Sequence, residues 1–301
     1  MEDEKIPKPV VPMGLQSLID KCKEIYPLQP NPLQVTTVLK YWLGGQDPLD
    51  YISMYYHAGN VERNIPPHWH YITFGLSDLH GDGRVHQIEN NEHSGMGFEL
   101  SFRLIKPKDV DEDPKVDLVK NPHGRPPTWP ANLLQALARY VFQTGNRLCS
   151  GDNIPWRKSL DHSMSKIQHM LIVEDVQLKQ VKTVNGTVDF CQIVGVTEEE
   201  LEQASRWNGN GVLNLLKRNV STGGEFLITD MSRSHSVFEL FPETLVQLEH
   251  DLENEGSDLA GVNADFIFKE IPKVRYYFYF LHVHFCFFFQ SIGRYIKPLL
   301  L

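Results

Sequence analysis

Residues 98–104, FELSFRL, commit part of this chain to a sheet. Side chains of an extended strand alternate between faces, and Phe98, Leu100, Phe102 and Leu104 all fall on one of them. The alternation predicts a strand with one side buried. Residues 71–76, 167–173, 187–196, 226–230 and 236–240 also read as strands from their β-branched and aromatic content. Val184-Asn185-Gly186-Thr187 reads as a tight hairpin turn, because Asn-Gly readily adopts positive φ.

Helical spacing interrupts these runs. Leu15, Leu18, Ile19, Cys22 and Ile25 share a helix face, and Pro27 stops that helix near Tyr26. A second helix is predicted after Thr128, with Pro130 in its first turn, Leu133, Leu134, Leu137 and Val141 on one face, and Gly145 closing it. Thr197 and Glu200 form the capping box of a third, which runs through Leu201 and Ala204 to Trp207 and ends at Asn208-Gly209. A fourth short helix is expected over 212–217. There is no internal repeat and no regular βαβ alternation. The predicted fold is therefore α/β, a mixed, mostly antiparallel sheet sandwiched with helices.

With 41% apolar and 22% charged residues among 301, the chain is not disordered throughout. Its formal charge is −9, and residues 272–301 hold four basic residues and no acids, so the body before them carries −13. Such a body suits a basic partner and not a phosphate backbone, so direct nucleic-acid binding is not expected. Cys22, Cys149, Cys191 and Cys286 form no C-x-x-C pair and read as reduced, mostly buried thiols of a cytosolic or nuclear protein. Residues 1–14 are acidic and proline-rich, without the pattern of a signal peptide, and read as a flexible lead-in. Residues 106–127 are charged and proline-punctuated, the composition of an exposed loop.

Nine of the fourteen residues 276–289, YYFYFLHVHFCFFF, are aromatic. The run is shorter than the ~20 apolar residues that cross a bilayer and is β-prone. Strings of Phe, Tyr and Leu ending in Gln are what translation of a pyrimidine-rich splice-acceptor tract yields. Residues 272–301 are therefore expected to come from intronic sequence or a faulty gene model, with a real truncated isoform or a membrane anchor as alternatives.

Motifs of catalysis are sparse. His68 and His70 would share one face of a strand and could reach one ion, but no third ligand accompanies them, and the competing reading is a pair of histidines packed at a strand entry. Ser94-Gly95-Met96-Gly97 lacks the rest of a dinucleotide or phosphate loop. Ser150-Gly151-Asp152 is not an esterase elbow. Asp50, Asp78, Glu99, Asp152 and Glu174 include no recognisable acid/base pair, and no cofactor is indicated. Tyr140, late on the second helix, and Asp152, just beyond it, would either hold an imidazole or similar donor through a charge-assisted hydrogen bond or form a local structural pair.

The aromatic segment 30–79, PNPLQVTTVLKYWLGGQDPLDYISMYYHAGNVERNIPPHWHYITFGLSDL, is joined by GFELSFRL, PPTWPANLLQALARYVFQ, CSGD, QHMLIVED, NGNGVLNLL, FLITDMSR and DLAGVNA. Together, from about Leu15 to Ala264, these resemble the amino-terminal domain of the Suppressor of Fused family, cytoplasmic repressors of Gli/Ci zinc-finger transcription factors in Hedgehog signalling. The resemblance implies one domain over 15–271 and a non-enzymatic negative regulator in cytoplasm and nucleus. It also implies that a Ser-Tyr-Gly-His-Leu-type peptide is clamped and adds as a strand to a sheet edge. Matching positions are Tyr140 and Asp152 for the central histidine, Leu148 (where the family often has Phe) and Glu174 nearby, and Val262 and Ala264 on the pairing strand. The family's carboxyl-terminal domain, the other jaw of the clamp, is expected to be missing from this sequence. Two alternatives stand beside this reading: a metal-dependent hydrolase using His68 and His70, and a truncated decoy isoform.

Overall fold

A computed structural model describes residues 11–86, 92–106 and 123–257. In chain order the elements are α1 (Met13–Ile25), β1 (Leu33–Thr36), β2 (Tyr51–His57), β3 (His68–Phe74), β4 (His93–Ile105), α2 (Trp129–Thr144), β5 (Asn153–Ile154), β6 (His169–Glu174), β7 (Val181–Thr183), β8 (Gly186–Val196), α3 (Glu198–Arg206), α4 (Gly209–Leu216), α5 (Val237–Leu240) and α6 (Glu243–Glu255). The strands make one eight-stranded sheet in the order β1-β2-β3-β4-β8-β6-β5, with β7 paired to β8. Every pairing is antiparallel except β4 with β8. The mixed, mostly antiparallel α/β fold expected from the sequence is the one observed.

Alternation assigns each strand residue to one of two buried layers. Trp69, Tyr71, Phe98, Leu100, Phe102, Leu104, Met170, Ile172 and Ile193 face α2 and pack on Leu133, Leu134, Leu137 and Val141. Full burial of each such aliphatic side chain is worth about 1.5–3 kcal/mol. On the opposite face Ile72, Phe74, Val188 and Phe190 pack against Leu18, Cys22 and Tyr26 at α1. Further along that face Leu171, Val173, Val194 and Val196 meet Leu201, Ala204, Trp207 and Val212 of the α3–α4 corner. The expectation that the 98–104 strand buries one side is therefore corrected: Glu99, Ser101 and Arg103, on its other side, are each 0% exposed.

Helix boundaries follow their signals. α2 ends at Gly145 with φ 71. The Thr197 and Glu200 capping box opens α3, but Asn208-Gly209 does more than end it, since Asn208 caps α4 and accepts the Gly211 amide. The 184–187 turn is a hairpin with Thr183 opposite Gly186, and only Gly186 of its residues takes positive φ, at 113. The strand expected over 71–76 ends at Phe74, because the amides of Gly75 and Ser77 donate to the Glu99 carboxylate at 2.8 and 2.9 Å instead of joining a ladder.

Two expected strands are absent. Residues 226–230 form a loop with a single bridge, Leu104 to Thr229. Positive φ at Gly223, Gly224 and Leu227 bends the backbone away from extension. Residues 236–240 are helical as α5, because Ser236 and Glu239 make a second capping box that overrides the β-propensity of Val237 and Phe238. The sequence patterns do not mark the strands β1, β2 and β5 or the helix α6. The loop expected over 106–127 lies mostly outside the described residues, as do 1–10 and everything from 258.

Candidate peptide-binding site

Four of the six residues singled out from the sequence sit at the β5 margin of the sheet. α2 delivers Tyr140 in its last turn, and Gly145 reverses the chain toward β5, which stops after two residues because Pro155 cannot donate to a ladder. The Tyr140 ring and Leu148 belong to the α2-side core, 8% and 2% exposed. The Leu148 carbonyl accepts a hydrogen bond from Cys191 Sγ at 3.4 Å, and Cys191 stands opposite Glu174 in the β6–β8 ladder. Glu174 is exposed at the end of β6.

Asp152 is 2% exposed. Its Oδ2 accepts the Cys149 amide at 2.8 Å, while its own amide donates to the Cys149 carbonyl at 3.1 Å, closing a tight loop. The Tyr140 hydroxyl accepts from Asn146 Nδ2 at 2.8 Å. Tyr140 and Asp152 are thus each anchored to the connecting loop. Gly151 donates to the Ile172 carbonyl at 2.8 Å and Ile172 to the Asp152 carbonyl at 3.1 Å, which pins the loop to the outer side of β6. Asp175 donates to the Phe190 carbonyl of β8. By alternation the amide and carbonyl of Glu174 point away from β8, toward the sheet margin. This is backbone geometry that an added strand can use. Val262 and Ala264 lie outside the described residues.

A second polar assembly, which the sequence reading missed apart from its histidines, lies inside the sheet's other face. Asp175 accepts from Arg103 Nη2 at 3.1 Å to each oxygen, from Ser101 Oγ at 2.8 Å, and from the amides of Gln177 and Leu178, both at 2.9 Å. Arg103 Nε donates to Gln192 Oε1 at 3.2 Å, and its guanidinium lies 5.0 Å from the centre of the Phe226 ring. Gln192 Nε2 in turn donates to the carbonyls of Phe226 and Leu227 at 2.8 and 3.1 Å, so the 226–230 loop is a cover over this assembly. Burial alone would raise the Asp175 carboxyl, but the Arg103 charge, helped by the backbone hydrogen bond from Leu178, outweighs it and holds the group well below the usual carboxylate range.

His68 and His70 share a face of β3, as alternation requires, and both are 0% exposed. Burial, then the nearby Arg103 charge, pushes His68 down to about 2 and His70 down to about 4, so both imidazoles are neutral at physiological pH. His68 Nδ1 lies 2.8 Å from the Pro66 carbonyl, which requires it to donate there, and leaves Nε2 to accept from Arg103 Nη1 at 3.1 Å. His70 Nδ1 lies 2.8 Å from the Tyr26 hydroxyl, and its Nε2 stands 3.0 Å from Asp175 Oδ2, off the line of a good hydrogen bond. The ring lone pairs are thus engaged by Arg103 and Tyr26. Among the described residues no group of three His, Cys, Asp or Glu side chains is placed to hold a metal ion. Among them, too, no helix is long and apolar enough to cross a membrane. The clue available in the sequence was the interior of FELSFRL itself, where Glu, Ser and Arg alternate with the apolar residues in the middle of a long strand.

Residues 45–234 match the family model described as Suppressor of fused protein, and residues 246–277 match that of the Suppressor of Fused Gli/Ci N terminal binding domain. The chain is similar to the Suppressor of fused homologs of Homo sapiens and Mus musculus, each 49% identical over 261 residues, which is 86% of this chain and 51% of the relative. It therefore spans about half the length of those relatives. Among solved structures it is similar to Drosophila Suppressor of Fused, with 63% identity and a TM-score of 0.79 over 89% of this chain and 61% of that one. It is also similar to a chain of the Sufu-Fu complex crystal structure, with 63% identity and a TM-score of 0.74 over 79% of this chain and 98% of that one.

Proposed function

The chain belongs to the Suppressor of fused family, and from that membership we propose that it is a non-enzymatic binding module that represses a Gli/Ci-type zinc-finger transcription factor in Hedgehog signalling, in cytoplasm and nucleus. The observation that carries the proposal is the β5 margin, where Asp152, Leu148 and Tyr140 lie on one loop and helix end beside the outward-facing backbone of Glu174. A short peptide laid there as a strand takes backbone hydrogen bonds from the sheet and places a donor side chain, such as an imidazole, near a carboxylate and a phenol. The family model over residues 246–277, described by its Gli/Ci binding, supports the same partner. The chain of the Sufu-Fu complex is matched over 98% of its length, which supports a protein-binding role for this half of the family's length. The net charge of −9 favours association with a basic partner.

A hydrolase centred on His68 and His70 has no comparable support, because both rings are sealed in the sheet with their lone pairs engaged. Calorimetric titration of the 301-residue chain with a Ser-Tyr-Gly-His-Leu peptide tests the proposal. Tyr140→Ala and Asp152→Ala are each expected to weaken binding by about 1–3 kcal/mol. Equal affinity in both folded variants and the unaltered chain would remove these residues from the site.

A further inference from the structure

The segment that carries Asp152 is held from behind by the corner between α3 and α4, through contacts to three of its four residues. Ser150 Oγ donates to Asn210 Oδ1 at 2.9 Å. Gly151, with φ +92, lies so close to α4 that a Cβ built on Gly209 would stand 2.2 Å from the Gly151 carbonyl oxygen. Asn153, 8% exposed, donates from Nδ2 to Ser205 Oγ of α3 at 3.3 Å, and the same Cβ on Gly209 would be 3.0 Å from its Oδ1. Asp152 is the remaining residue, and its carboxylate turns back onto the Cys149 amide.

Gly209 is thus a position where only backbone fits. Any side chain there pushes against a carbonyl, which cannot rotate away as a side chain does. Gly211 makes the approach feasible from within the corner, since a Cβ on it would meet the Trp207 ring at 2.3 Å. The glycine lets the indole lie across the first turn of α4 while Asn208 caps that turn. With the Ile172 hydrogen bonds on the β6 side, the 150–153 segment is gripped between a sheet edge and a helix start.

We propose that the first turn of α4, through Gly209 and Asn210, is the positioning element of the Asp152 site. Neither residue belongs to the peptide-contacting set. They act by fixing where the carboxylate stands, because a charge-assisted hydrogen bond weakens steeply once its length and angle drift. The inference rests on the peptide reading above and adds to it residues some sixty positions downstream in sequence, whose Asn-Gly-Asn-Gly pattern is otherwise explained only as helix capping.

Peptide titration of the full chain, combined with hydrogen exchange at the Cys149 and Gly151 amides, tests it. Asn210 and Ser150 are exposed, so Asn210→Ala and Ser150→Ala leave the melting temperature nearly unchanged. Each is expected to weaken peptide binding about fivefold, the double variant no more than either single one, and both amides to exchange faster. Ser150→Thr, which keeps the hydroxyl donor, restores both readouts. Gly209→Ala gives the larger loss of affinity. Unchanged affinity in Asn210→Ala and Ser150→Ala, while Asp152→Ala still loses it, overturns the proposal. Unchanged affinity in a folded Asp152→Ala overturns the peptide reading itself, and this proposal with it.

Discussion

Asp175 decides whether the sheet's second face can bury Arg103 at all. Both side chains are 0% exposed, and the carboxylate takes two guanidinium hydrogen bonds, one from Ser101 and two backbone amides. A buried ion pair is a weak source of net stability, because desolvation of both charges offsets their attraction, yet removing one partner strands the other. Asp175→Ala is therefore expected to destabilise the fold by about 3–5 kcal/mol, read from urea unfolding. A cost below about 1 kcal/mol would mean that water reaches Arg103 when its partner is gone. Glu99 shows a different solution to a buried carboxylate on the same strand. Burial raises its carboxyl, and the hydroxyls of Thr73 and Ser77 with the amides of Gly75 and Ser77 pull the other way.

At the scale of elements, one glutamate ties α3 to α5 and to the loop that carries Arg233. Glu200 closes the capping box of α3 by accepting the Thr197 amide at 2.9 Å, pairs with Arg233 through both terminal guanidinium nitrogens, and accepts the Val237 amide of α5 at 2.8 Å. Thr197→Ala removes a cap and should cost about 1 kcal/mol. Glu200→Ala also leaves Arg233, 8% exposed, without its carboxylate and should cost about 3–5 kcal/mol in the same urea titration. Equal costs would reduce Glu200 to a capping residue. The capping half of this arrangement was legible in the sequence, because Thr-x-x-Glu acts over three residues. The Arg233 pairing was not, because it joins positions 33 apart that only folding brings together. The same division runs through the fold. α1, α2 and α3 follow from local spacing and caps, whereas the loop over 226–230 looks like a strand until the positive φ at Leu227 and the Gln192 hydrogen bonds are known. At the site, the positions of Tyr140, Leu148, Asp152 and Glu174 came from family resemblance, and the backstop at Gly209 required the three-dimensional approach of two backbones.

The whole molecule is a sheet between unlike layers, apolar toward α2 and, on the other side, two apolar clusters separated by the Arg103–Asp175 assembly. That asymmetry makes its stability depend on pH in a definite direction. His68 and His70 are held neutral in the fold, with values near 2 and 4, against about 6.5 for an unfolded histidine. Burial also lowers His86 and His169. A base whose folded value is depressed binds its proton on unfolding. Its contribution is therefore complete above the unfolded value and declines as pH falls toward the folded one. Near pH 5 two such histidines alone give a slope of about 2.7 kcal/mol per pH unit, at about 1.36 kcal/mol for each proton. Asp175 adds to the loss only below the ordinary carboxylate range, and Glu99, raised in the fold, opposes it in acid. Urea unfolding between pH 7 and 5 should thus show stability falling with acidity and net proton uptake on unfolding. His70→Gln should reduce that uptake near pH 5 by about one proton, whatever it does to absolute stability. A flat profile, or an unchanged slope in the variant, would mean that His70 titrates in the folded chain as it does in water and that the second layer is open to solvent.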